Sequence, residues 1–123
     1  MLDKGRADLA GKLGEFKYGA PLDQHLINFL GIDIAALRAE LATGKGDGEI
    51  LRWLEENAKV KHTAWEIEQW SAFMLRRAPG SDAETLEFLK KRLGEFSAQT
   101  REDIQTWFDL VDLDDLVTFG GKP

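Results

Sequence analysis

The stretch Thr63-Ala64-Trp65-Glu66-Ile67-Glu68-Gln69-Trp70-Ser71-Ala72-Phe73-Met74, followed by Ala78-Pro79-Gly80, decides the fold class. Its first four residues have the form of a capping box. The Thr63 hydroxyl takes an orphan helix amide, and the Glu66 carboxylate reaches back to the Thr63 amide. Ile67, Trp70, Phe73 and Met74 then recur at helical spacing and define one apolar face. Proline disfavours helical geometry in the residue before it, so Pro79 closes the segment.

The same grammar repeats in both directions. Asp33 stands before Ile34, Leu37 and Leu41, one helical stripe, and Gly44 suits a left-handed stop. Asp47 is placed to cap a helix carrying Ile50, Leu51, Leu54 and Ala58. Ser81-Asp82-Ala83-Glu84 is a second capping box, opening a stripe of Leu86, Leu89 and Leu93 that Gly94 ends. Thr100-Arg101-Glu102-Asp103 reads as another helix start, with Ile104, Trp107, Phe108 and Val111 behind it. Asp112-Leu113-Asp114-Asp115 suits the cap of a last short helix. Towards the N-terminus, Leu2, Leu9 and Leu13 mark a helix weakened by Gly5 and Gly11, and Leu22, Leu26 and Leu30 mark another. The words Leu13-Gly14-Glu15-Phe16 and Leu93-Gly94-Glu95-Phe96 are identical but their flanks differ, so they read as two similar helix exits. No run sustains period-two alternation. The predicted fold is all-α, a compact irregular or orthogonal bundle of six to seven short helices. It is expected to form one domain over residues 1–123, frayed over 119–123.

A chain of 123 residues has the length of a single domain. Hydrophobic residues at 43% and charged residues at 31% exclude a disordered chain. The absence of cysteine excludes disulfide scaffolds, thiol catalysis and cysteine-ligated metals. Acids outnumber bases 22 to 16, and the net charge of −6 opposes generic nucleic-acid binding. The opening residues Met1-Leu2-Asp3-Lys4-Gly5-Arg6 carry no apolar export core, and no run approaches a membrane span. The expected location is the cytoplasm.

Motifs that suggest chemistry fail on spacing. Gly5 and Gly11-Lys12 approach a phosphate loop, but five residues separate the glycines where four are needed, and Leu13 stands where Ser or Thr must hold magnesium. His62 and Glu66 lie four apart, yet two ligands do not make a zinc site. No metal and no cofactor are therefore expected. Glu102, Asp103, Asp109, Asp112, Asp114 and Asp115 lack calcium-loop order and read chiefly as helix caps and a solvated face.

Two features remain as candidate sites. The irregular segment Gly14–Gln24 mixes ionisable and phenolic groups around glycines and a proline. It nominates Tyr18 and Asp23, with Lys4 and Arg6 folding back from the first helix, as ligand-binding residues. The competing reading is a helix connection in which Phe16 and Tyr18 plug the core, Pro21 starts a helix and Asp23 complements its dipole. Among the four tryptophans, Trp70 and Trp107 sit on apolar stripes, while Trp53 and Trp65 are candidates for an exposed interaction surface.

Asp3-Lys4-Gly5-Arg6-Ala7, Ala10 through Tyr18, Pro21-Leu22-Asp23-Gln24 and Leu30-Gly31-Ile32-Asp33 together carry a resemblance to an uncharacterised bacterial family, domain of unknown function 5069. Pro79-Gly80-Ser81-Asp82 and Asp103 through Leu110 support it. Relatives often carry Tyr-His-Tyr and a cysteine before the proline, where this chain has Phe16-Lys17-Tyr18 and Ala20. The resemblance implies a small bacterial soluble protein and supplies no activity.

The leading expectation is a non-catalytic protein-interaction or binding module for an unknown protein partner. The alternative is a small-molecule-binding protein or enzyme using the Gly14–Gln24 segment. The fold expectation has a direct check: far-ultraviolet circular dichroism should be helix-dominated with no appreciable strand component.

Overall fold

The computed structural model describes residues 1–80 and 83–123, and among them the backbone forms helices and no strand. The helices are α1 (Leu2–Leu9), α2 (Pro21–Leu30), α3 (Ile34–Leu41), α4 (Asp47–Asn57), α5 (Ala64–Arg76), α6 (Ala83–Glu95) and α7 (Trp107–Thr118). The all-α expectation is met, with seven helices among the described residues. Contacts gather into two units, Met1–His62 and Thr63–Pro123.

The first unit is built around Ile27, Ile32, Leu37, Leu41, Ile50 and Ala58. The Leu37/Leu41 stripe of α3 is buried as its spacing predicts, and Asp33 caps that helix by accepting from the Ala35 amide at 2.9 Å. α2 departs from expectation. Its most buried positions are Asp23 and Ile27, one residue round from the predicted Leu22/Leu26/Leu30 stripe. The cause is Asp23, whose burial turns that side of α2 inward. α1 ends at Leu9, so Leu13 lies beyond it. Asp47 is the first helical residue of α4 and not its cap. The carboxylate that reaches back is Glu49, which accepts from the Gly46 amide at 3.1 Å.

The C-terminus of α2 is closed twice. Gly31, at φ 62°, lets the Ile32 amide turn back to the Ile27 carbonyl at 3.1 Å. The returning segment supplies the rest. The Val60 amide donates to the Leu30 carbonyl, and His62 Nε2 donates to the Phe29 carbonyl at 2.6 Å. The His62 ring also stacks on Phe29, with centroids 3.8 Å apart and planes 4° from parallel. These bonds satisfy carbonyls that an α-helix leaves without partners.

The second unit opens with the predicted Thr63 capping box. The Thr63 amide donates to Glu66 Oε2 at 2.7 Å, and the Glu66 amide donates to Thr63 Oγ1 at 3.3 Å. The Ser81–Glu84 box predicted for α6 lies partly outside the described residues. Gly94 does not end α6. The helix runs through it to Glu95, and Ser97 at φ 57° makes the left-handed exit. The Ala98 amide then returns to the Leu93 carbonyl at 2.9 Å, and both residues are buried. The two Leu-Gly-Glu-Phe words therefore differ in structure, since Gly14 sits in a turn beyond α1.

The helix start predicted at Thr100 is instead a turn held by the Arg101–Asp103 pair at 2.6 Å. α7 begins later, because Thr106-Trp107-Phe108-Asp109 is the stronger signal. The Asp109 amide donates to Thr106 Oγ1 at 3.1 Å. Asp109 Oδ2 accepts from the amides of Thr106 at 2.7 Å and Gln105 at 3.0 Å. α7 then runs unbroken, so Asp112 starts no new helix. Leu110 and Leu113 join Leu93, Ala98 and Ile104 in the core of this unit, with Trp107 packed against them.

The bond from the Thr106 amide, backed by that from Gln105, holds the Asp109 carboxyl below its ordinary value of 3.8. Its contribution is present above that value and is lost as pH falls through the lower folded one. Asp109→Ala should cost about 0.5–2 kcal/mol near neutral pH. Thermal unfolding should show that deficit shrinking as the medium is acidified below the carboxylate range.

Candidate functional site

The segment between α1 and α2 is ordered by one carboxylate. Asp23 is 6% exposed. Its Oδ2 accepts from Lys4 Nζ at 2.9 Å, from the Gly19 amide at 2.9 Å and from the Ala20 amide at 3.1 Å. Two of these donors are the loop's own backbone, turned inward at Gly19 with φ 83°. The third comes from α1. Pro21 at the first helical turn needs no amide partner, which leaves Asp23 free to serve the residues before it.

Tyr18 lies beside this bond. Its ring packs against the core of the first unit. Its hydroxyl is buried and has no hydrogen-bond partner among the described residues. Burial, reinforced by the Asp23 charge, raises the phenol above its ordinary value of 10.0. Arg38 and Asp8, paired to each other at 2.7 Å, act on it in opposite directions. At neutral pH the hydroxyl is therefore protonated, and the Asp23 oxygen that faces the loop carries three donors. This cluster joins α1, the loop and α2, and among the described residues the Tyr18 hydroxyl is a buried side-chain polar group with no hydrogen-bond partner.

Lys4, Tyr18 and Asp23 are thus brought together, and Arg6 is not. Residues 4 and 6 diverge around a helix. Arg6 bonds Asp47 at 2.6 Å, Asp3 at 3.2 Å and the Lys45 carbonyl at 3.3 Å, which ties α1 to the entry of α4. It also lines a shallow groove of about 390 Å³ with Leu9, Ala10, Leu41, Ala42 and Gly44. That groove contains none of Lys4, Tyr18 and Asp23.

The two candidate surface tryptophans also separate. Trp53 is half-buried against the first core, because its α4 neighbours Ile50 and Leu54 face the same way. Trp65 is 67% exposed. His62 and Glu66 have other partners: the His62 ring bonds the Phe29 carbonyl, and the Glu66 carboxylate closes the capping box. Among the described residues no group of three or more acids and histidines is arranged to hold a metal. No helix there is long and apolar enough to cross a membrane. Of the C-terminal acids, Asp103 pairs with Arg101, Asp109 caps α7 and Asp114 pairs with Arg92 at 3.2 Å.

Sequence reasoning missed the Arg38–Asp8 and Arg6–Asp47 pairs, which join residues far apart in the chain and leave no local pattern. It also passed over the one signal at Gly5. A glycine inside a helix marks a close approach. Here a Cβ would lie 2.5 Å from Leu41 Cδ1 and 3.0 Å from Tyr18 Cε2.

Loss of the Asp23 carboxylate and loss of the Tyr18 hydroxyl are expected to act in opposite ways. Asp23→Ala leaves Lys4 and two amides without their acceptor and should cost about 3–5 kcal/mol, the range for breaking a buried charge pair. Tyr18→Ala should cost about 3–5 kcal/mol through the cavity. Tyr18→Phe should be neutral or stabilising, because it removes an unpaired hydroxyl at no loss of ring contact. Tyr18 favours the fold fully below pH 10, and that contribution is lost as pH rises through its higher folded value. Alkaline unfolding curves of Tyr18→Phe should lack that component.

No curated protein matches the chain. Residues 1–117 match the family described as Domain of unknown function (DUF5069), which spans both units and includes Lys4, Tyr18, Asp23 and Trp65. The chain therefore belongs to the DUF5069 family.

Proposed function

We propose that this chain is a non-catalytic protein-interaction module and that α5 carries its contact surface. The observation that supports this is the exposure of large apolar side chains on that one helix: Trp65 at 67%, Phe73 at 61% and Leu75 at 65%. Scattered exposed leucines are ordinary, but a tryptophan and two further large apolar groups left exposed on one helix point to a contact surface. Tryptophan is the residue that most often anchors such contacts. The net charge of −6 argues against nucleic acid as the partner, and a cysteine-free composition suits the cytoplasm.

A second reading has one observation in its favour. The buried Tyr18 hydroxyl, beside Asp23 and Lys4, is a donor held without an acceptor, a group that a small polar molecule would satisfy. A metabolite whose thermal stabilisation of the chain is lost in Tyr18→Phe would establish that reading over the first.

The interaction reading is tested by Trp65→Ser and Phe73→Ser in the full chain. Side chains held for a partner contribute little to the isolated fold. Unfolding free energies extrapolated to low protein concentration should therefore match the parent within about 0.5 kcal/mol. A loss of about 2 kcal/mol or more would show that these rings pack within the fold, and would overturn the proposal.

A further inference from the structure

The interaction reading leaves the partner open, and the pattern of α5 narrows it. We infer that the partner of this face is a second copy of the chain, with the two α5 helices packed antiparallel about a two-fold axis at Ala72. The inference rests on that reading and adds the identity of the occupant.

Trp65, Glu68, Ala72 and Leu75 follow one another at spacings of three and four, so they lie along one stripe of the helix. Arg76 flanks that stripe, while Phe73 lies about 100° round the helix from Ala72. All of these except Ala72 are exposed, and Ala72 is half-buried. A face that binds its own copy must be self-complementary: if residue i meets residue j, then j meets i. The charge order of α5 has that property. Acids lie in its first half, Glu66 and Glu68, and bases at its end, Arg76 and Arg77. A parallel pair would set acid on acid and base on base. An antiparallel pair centred on Ala72 sets Glu68 of each copy against Arg76 of the other, twice over. The small side chain at the axis lets the backbones approach, as small residues do where helices cross. Trp65, seven residues from the axis, then falls opposite position 79, just past the end of the second copy's α5, where Arg76 and Arg77 offer a guanidinium to the indole.

The area fits a modest dimer. α5 has 13 residues and is roughly 20 Å long. At their exposures, Trp65 and Leu75 offer roughly 200–300 Å² per copy. With the charged rim, the pair buries at most on the order of 1,000 Å² in total, the lower bound for a specific interface. A dimer of about micromolar affinity, in exchange with monomer, is expected.

Sedimentation equilibrium of the full chain over a range of concentrations tests this. The parent should show a reversible monomer–dimer equilibrium. Glu68→Arg and Arg76→Glu should each weaken it about ten-fold or more, since either change sets like charges opposite one another at two symmetry-related places. The double variant Glu68→Arg/Arg76→Glu should recover most of the loss, because it restores opposite charges across the axis. Trp65→Ser should abolish dimerisation while the chain stays folded by circular dichroism. A parent that is monomeric at its highest soluble concentration overturns the inference. So does a double variant as impaired as the single ones, or a dimer indifferent to Trp65→Ser. A monomeric parent whose Trp65→Ser and Phe73→Ser variants keep their melting temperatures would retain the interaction face and reject only its self-pairing.

Discussion

The Asp23 carboxylate sets the geometry of the first unit. A carboxylate taken out of water without partners is so costly that the chain will protonate it or rearrange around it. Three donors converge on one Asp23 oxygen, and two of them are amides of the residues that precede α2. The loop therefore cannot turn elsewhere without stranding the charge. Ile27 lies one helical turn further on, so the same orientation directs it into the core. The Lys4 ammonium completes the set and fixes which side of α1 faces the loop. One acceptor thus determines the register of α2, the path of the loop and the rotation of α1.

Around that bond the constraints are steric. α1 approaches α3 and Tyr18 so closely at position 5 that a Cβ there would force the Leu41 side chain or the Tyr18 ring to shift. Gly19 is held in the same way, since a Cβ there would lie 2.8 Å from Ile34 Cδ1. A mid-helix glycine costs roughly 0.5–1 kcal/mol relative to alanine, which is less than the overpacking that any side chain would cause. Tyr18 is a closer balance. Burying a ring of that size contributes about 1.5–3 kcal/mol, and leaving a hydroxyl unpaired costs about 1–3 kcal/mol. The hydroxyl thus cancels much of what the ring supplies, so packing alone gives no reason for tyrosine over phenylalanine there.

What was legible in the sequence was whatever is decided within one helical turn. The Asp33 cap, the Thr63 box, proline at the start of α2 and the Leu37/Leu41 stripe depend on neighbours within four residues, and each stands in the structure. Errors came where two local signals competed or where a distant group decided. Thr100 and Thr106 both read as helix starts, and the box closed by Asp109 is the one used. Gly94 reads as a helix exit, but the buried Ala98 amide sets the exit at Ser97. The grouping of Lys4, Tyr18 and Asp23 was legible as a set of residue types in an irregular segment. The exclusion of Arg6 was not, because its partner Asp47 lies 41 residues away. Trp53 and Trp65 looked alike in sequence. They are separated only by Ile50, whose complete burial turns α4 so that Trp53 lies on the core.

α5 shows the same limit from the other side. Its sequence predicts one apolar face of Ile67, Trp70, Phe73 and Met74, yet only Met74 is fully buried, and Phe73 and Ile67 remain 61% and 47% exposed. With Trp65 and Leu75 added, apolar groups extend well around the helix. A surface helix normally confines them to one stripe and covers the rest with charge. Helices apolar on more than one side are found where more than one side is covered. Elsewhere the α3 stripe of Leu37 and Leu41 is buried as its pattern predicts, while single apolar side chains such as Leu51 on α4 and Phe88 on α6 stay exposed. α5 departs furthest, with Trp65, Phe73 and Leu75 each more than 60% exposed, and such a departure marks a helix on which another requirement acts. The charge order of α5, acidic at its start and basic at its end, gives that requirement a direction, because it opposes a parallel neighbour of the same sequence and favours an antiparallel one.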